Sequence, residues 1–152
     1  MINVCIFGAG AIGGYIGCSL SKAGANVSLI ARGPHKEAIK KNGLTLISEE
    51  KSEIFNLKVT EHPSELGTQD YIIIAVKAHA IAGIVDDLKP LLNDNTTILS
   101  AVNGLPWWYF YKSNSGTKLE NTHIDSVDPH GIIWKTLNPK RALGCVVYPA
   151  CE

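Results

Sequence analysis

Gly8, Gly10 and Gly13 stand in the order G-x-G-x-x-G inside the stretch CIFGAGAIGGYIG. That spacing suits a chain that turns sharply after a strand and then opens a helix. The first glycine allows the tight turn. The second lets main-chain amides approach a pyrophosphate with no Cβ in the way, and the third lets the helix pack close to the strand. The helix would aim unsatisfied N–H groups and the positive end of its dipole at the phosphates. Gly8, Ala9, Gly10, Ala11, Ile12 and Gly13 therefore form a candidate phosphate cradle. Glycines used only for packing are the alternative. It is disfavoured because a strand, a helix and a second strand fall where a dinucleotide site needs them.

The second strand bears on which dinucleotide. An NAD site wants Asp or Glu near that strand's end to accept from the ribose 2′-hydroxyl. NVSLIARGPHK holds no acid, and Arg32 stands at the tip. A guanidinium pairs with a phosphate through charge-assisted bonds, so NADP(H) is the expected cofactor, with Lys36 as a second cation. The plainer reading is an arginine that tops the strand in solvent. Lys77 (AVKAHA) and Asn103 (AVNGLP) close the next two buried strands. Strand carboxyl ends at a topological switch point are where open α/β sheets bind ligands. Alone, Lys77 could be a snorkelling surface lysine and Asn103 a turn residue. Together they are expected to line the nicotinamide and substrate end. His79 reads as a surface or capping residue. The five histidines lack metal-ligand spacing, and no G-x-S-x-G elbow is present.

These residues need a framework, and the hydrophobic pattern supplies one. Continuously apolar strands are expected over 2–7, 26–31, 71–77 and 96–102, with helices over 11–22, 34–42 and 81–92 between them. The last helix carries a buried stripe of Ile81, Ile84, Val85, Leu88 and Leu92. LTLIS and IFNLKVTE read as a hairpin around EEKSE, and PSELG as a helical turn. A short helix near IIWKTLN precedes a last strand over 141–149. Alternating strands and helices imply an α/β, Rossmann-like, doubly wound and mostly parallel sheet with helices on both faces. One domain over 1–152 is expected. Trp107 to Tyr111 breaks the alternation, and burial against a partner domain or subunit is its expected use.

Bulk properties exclude other classes. The 152 residues carry 14 basic and 14 acidic side chains, so no field favours nucleic acid or an anionic membrane. Residues 2–21 carry no charge, a length that could span a bilayer. Five glycines and no preceding basic residue argue against a spanning helix or a leader. The cytoplasm is the expected compartment. The four cysteines form no C-x-x-C pair, and three sit in apolar, buried-looking surroundings, as reduced thiols would.

With FGAGAIGGYIG, the Arg32 tip, AVKAHA, AVNGLPWWYFY, IDSVDPHG and GCVVYPA in order, the sequence resembles the ketopantoate reductase (2-dehydropantoate 2-reductase) family. The resemblance implies NADPH-dependent reduction of a 2-oxo acid, ketopantoate, to pantoate on the route to pantothenate and coenzyme A. It implies that the glycine turn, Arg32 and Lys77 hold the cofactor, that Asn103 touches cofactor and substrate, and that main chain near Ala150 touches the cofactor. It also implies a helical second domain bearing a general-acid lysine, which these residues do not include. The expectation is a cofactor-binding half with little or no turnover alone, no catalytic residue of its own, and exposed aromatic surface that would allow a homodimer. The alternatives are the amino-terminal half of another 2-hydroxy-acid dehydrogenase, or a dinucleotide-sensing module without chemistry.

Overall fold

A computed structural model describes residues 1–48 and 51–152. The first strand, β1 (Asn3–Phe7), leads into α1 (Ala11–Lys22), β2 (Asn26–Ile30) and α2 (Gly33–Asn42). A hairpin of β3 (Leu44–Ser48) and β4 (Lys51–Phe55) follows, then β5 (Lys58–Thr60), β6 (Tyr71–Ile74), α3 (Val85–Leu88), β7 (Thr97–Ser100), α4 (Ile132–Leu137) and β8 (Ala142–Leu143). The main sheet runs β5-β2-β1-β6-β7-β8, and every pairing in it is parallel. This is the doubly wound α/β order, with the switch point between β1 and β6.

Both faces of the sheet are covered, as its uninterrupted apolar strands require. Val4, Ile6, Val27, Leu29 and Ile73 pack on the α1 and α2 side. Cys5, Phe7, Ile72, Ile74 and Ile98 point the other way, toward Val85, Leu88, Ile133 and Leu137. The charge-free stretch is thus a strand, a turn and a 12-residue helix. Among the described residues no helix is long and apolar enough to cross a membrane.

Several expectations need correction. The segment 81–92 is not one helix: short 3-10 turns at Ala82–Ile84 and Lys89–Leu91 flank the four residues of α3. Gly83 weakens the start, and Pro90 removes an N–H and crowds the preceding turn. The buried stripe survives, but Leu91 takes the core position expected of Leu92. IFNLKVTE is not one strand either. Its first residues end β4, and Lys58–Thr60 joins the main sheet beside β2. Residues 49 and 50 of the expected hairpin turn lie outside the described residues. β6 stops at Ile74 and β8 has two residues, both shorter than expected. Of the cysteines, only Cys5 and Cys18 are buried; all four are free. Burial pushes the Cys5 thiol up to about 12.

The aromatic run is used internally only in part, and Tyr109 stays 54% exposed. Trp107 is 3% exposed and belongs to the chain's own core. Trp108 meets it edge-to-face, and Tyr111 meets Trp134 likewise. What closes this region is Asp128, fully buried. Its carboxylate accepts from the main-chain N–H of Ile133 at 2.7 Å and of Trp134 at 2.9 Å, capping α4. Asp128→Ala would leave those amides unpaired. The expected result is a loss of roughly 2 kcal/mol, read as a fall of about 4–8 °C in melting temperature. A melt within a degree or so of the parent would mean that the cap holds nothing.

Candidate functional site

The carboxyl ends of β1 and β2 frame a groove of about 280 Å³ lined by Phe7, Gly8, Ala9, Gly10, Arg32 and His35, among others. The three glycines around it have different duties. Gly8 adopts φ +106°, and a Cβ there would press on Val76 and the Ala75 main chain. A Cβ on Gly13 would be driven into the Gly8 carbonyl oxygen and would also meet Ile6. Both are glycines for internal reasons: the turn and the close packing of helix on strand. Gly10 is different. Its backbone is ordinary extended chain (φ −73°, ψ −171°), and a Cβ would have nothing within 4 Å. The protein's own packing does not demand glycine there, whereas an approaching ligand would.

Gly10 is also the residue that opens α1. No side chain caps this end, and no acid stands in the first turn. The first amides of a helix have no intrahelical acceptor, so the end is positive and lies open beside Gly10. A diphosphate suits such a donor set. Ala9 is buried and Ile12 packs against the apolar core. Of these two, Ala9 lines the groove and Ile12 sits behind it.

Arg32 caps the start of α2 in extended conformation and lines the same groove. Its side chain is 66% exposed and donates to Asp87 at 3.2 Å. An exposed pair of this kind is worth under about 1 kcal/mol, so Arg32 can be redirected at small cost. Lys36 is more tightly held, donating to Glu61 at 2.6 Å and lying 3.1 Å from Glu37. The Lys36 hydrogen bond holds the Glu61 carboxyl below the usual glutamate range, and Glu61 in turn raises Lys36. The acid missing from the second strand's tip thus arrives from just beyond β5, which the local sequence around Arg32 could not reveal.

His35 is the residue that sequence reasoning passed over. Its Nε2 lies 2.6 Å from the Ala9 carbonyl. A carbonyl only accepts, so Nε2 carries the proton, and the ring ties α2 to the glycine turn. The position of His35 in the first turn of α2, facing the preceding loop, was the available signal.

Asn103 follows β7. Its Nδ2 donates to the Val147 carbonyl at 2.9 Å, and its Oδ1 accepts from the Val147 N–H at 2.9 Å. One side chain thus extends the pairing that β8 ends after two residues, holding the carboxyl-terminal segment across the sheet's edge. That segment delivers Ala150 to a second hollow of about 690 Å³, which it shares with Ala9, Gly10, Ala11, Tyr15 and His35. The structure therefore gathers the glycine turn, Arg32 and Ala150 around one stretch of main chain. Lys77 stands apart, exposed at the start of the Ala78–Ala80 turn. Asn103 lines a separate cleft with Ala78 and His79. Among the described residues no cluster of His, Cys, Asp or Glu could hold a metal ion.

Known proteins resemble this chain in sequence and fold. The family described as Ketopantoate reductase PanE/ApbA matches residues 4–106. A 2-dehydropantoate 2-reductase of Mesorhizobium japonicum is 45% identical across 99% of this chain and 46% of its own length. One from Pyrococcus horikoshii is 35% identical across 68% of this chain and 34% of its own. A solved structure from Ralstonia solanacearum MolK2, which carries the ketopantoate reductase name, superposes with a TM-score of 0.91 at 36% identity, over 100% of this chain and 46% of its own. The chain thus spans between a third and a half of the length of these relatives. The match runs through the glycine turn, Arg32, Lys77 and Asn103, and on those grounds the chain belongs to the ketopantoate reductase family.

Proposed function

We propose that these 152 residues form the NADPH-binding domain of a 2-dehydropantoate 2-reductase. The bare, uncapped main chain at Gly10 carries the reading, because nothing internal requires glycine there. Amides of residues 10–13 would receive the diphosphate. Arg32, released from Asp87, would pair with the 2′-phosphate, and Lys36 beside it would add positive field. Main chain at Ala150 would lie along the cofactor from the opposite side of the turn. Lys77 and Asn103 would flank the nicotinamide end, Asn103 also facing the substrate. His35 would hold the turn rigid before the ligand arrives.

Bound NADPH supplies a hydride to the 2-oxo carbon of a small 2-oxo acid, giving the 2-hydroxy acid. With 2-dehydropantoate the product is pantoate, a precursor of pantothenate and coenzyme A. The alkoxide oxygen must then take a proton. The family resemblance puts this acid, a lysine, in a helical second domain, so we assign it to the part of the family's length that this chain does not span. We place the reaction in the cytoplasm, in keeping with four unpaired cysteines. Without a positioned acid the rate falls by ~10²–10⁴. The purified chain, given NADPH and 2-dehydropantoate, is expected to bind cofactor and show no sustained oxidation. Steady substrate-dependent oxidation would overturn the assignment of the acid.

A further inference from the structure

The end of the groove near Arg32 is crowded with acids. Arg32 donates to Asp87 at 3.2 Å, and Lys36 lies between Glu61 at 2.6 Å and Glu37 at 3.1 Å. A phosphate arriving here finds both cations already engaged by carboxylates. The two arrangements differ in how easily they yield. Lys36 is mostly covered, its side chain 19% exposed, and two acids hold it. Arg32 is mostly exposed, and its bond to Asp87 is longer than either of those. Arg32 is therefore the cation that can be contested, and Asp87 is the group that contests it.

Asp87 reaches Arg32 from the far side of the switch point. Ile84, Val85, Leu88 and Leu91 turn inward to the core, which leaves Asp86 and Asp87 outward. Ile84 also lines the groove, and Asp87 follows it by three residues. Asp86 is paired elsewhere, 2.6 Å from Lys89. We propose that Asp87 sets the margin by which this domain prefers NADPH to NADH, by competing with the 2′-phosphate for the Arg32 guanidinium. The inference rests on the phosphate role given to Arg32 above. Binding of NADPH must break the Arg32–Asp87 pair. The freed carboxylate then stays close to the phosphate, inside the ~10 Å over which salt screens like charges. Both effects weaken NADPH, whereas NADH carries no 2′-phosphate and meets neither. An exposed pair is worth up to about fivefold in affinity, and the like charge adds to that.

Calorimetric titration of the purified chain with each cofactor reads the effect. Asp87→Asn keeps the side chain's shape and removes its charge. Its NADPH affinity should rise about threefold to tenfold, with NADH within about twofold of the parent. Asp86→Asn makes the same change in net charge one residue away and should leave NADPH within about twofold. Both variants should melt within about 2 °C of the parent, because both acids are exposed. An equal gain in Asp86→Asn would reduce the effect to net charge. A fall in NADPH affinity in Asp87→Asn would make Asp87 a support that orients Arg32. Either result overturns the proposal, as does an unchanged Asp87→Asn beside a parent that prefers NADPH. A parent without that preference would strike the phosphate reading itself, and this inference with it.

Discussion

Gly10→Ala should leave the chain folded, with a melting temperature within about 3 °C of the parent, while NADPH affinity falls at least tenfold. The stability half follows from ordinary backbone angles and open space around the position; replacing a helix-opening glycine by alanine costs a few tenths to about 1 kcal/mol. The binding half follows from the one thing a methyl group would do there, which is occupy the approach to the helix amides. Gly13→Ala should behave in the opposite manner. Its Cβ has no room between the Gly8 carbonyl and Ile6, and overpacking of this kind costs about 3 kcal/mol, or roughly 6–12 °C. The contrast matters more than either value, since both glycines belong to one motif and only one is kept for a ligand. Should Gly10→Ala bind NADPH as well as the parent, the phosphate cradle would be misassigned.

Arg32→Ala should weaken NADPH by about tenfold to a hundredfold and leave NADH within about twofold. A charge-assisted bond to a phosphate is worth roughly 1.5–3 kcal/mol, and only NADPH carries the phosphate in question. Stability should change by no more than about 0.5 kcal/mol, because Arg32 is mostly exposed and its pair with Asp87 is weak. Isothermal calorimetry with both cofactors reads the two effects together. Glu61 supplies the counter-case. It stands in the same neighbourhood, its pKa lowered chiefly by Lys36 and less by Arg32, and a carboxylate is what a ribose 2′-hydroxyl would seek. Equal losses for NADPH and NADH in Arg32→Ala would mean that Arg32 serves the fold rather than the phosphate.

The fold was readable wherever one strand or helix declares itself locally. NVCIF and YIII are apolar on both faces, which only a sheet covered on both sides accommodates, and α1 begins and ends where its glycines and Lys22 indicate. Reading failed where distant parts decide. Trp107 to Tyr111 has no periodicity of its own, and the burial of Trp107 depends on α4 returning some twenty-five residues later, where Trp134 also meets Tyr111. The split of IFNLKVTE between two sheets depends on β2 leaving an edge for Lys58–Thr60, which the octet itself cannot report.

The candidate site divides the same way. Gly8, Gly10 and Gly13 declare themselves by spacing, but which of them serves the ligand emerges only from what surrounds each Cα. Arg32 was visible at its strand's tip, whereas the acids that hold it and Lys36 come from α3 and from beyond β5. Asn103 was legible as a strand-end residue. Its grip on Val147, which carries Ala150 to the glycine turn, spans 44 residues and leaves no local trace.

The decisive measurement is a paired titration of the purified chain with NADPH and NADH, followed by cofactor fluorescence and by the melting temperature. Saturable binding of NADPH that raises the melt, with NADH at least tenfold weaker, is the predicted result. A melt and fluorescence indifferent to NADPH, or a preference for NADH, would contradict it.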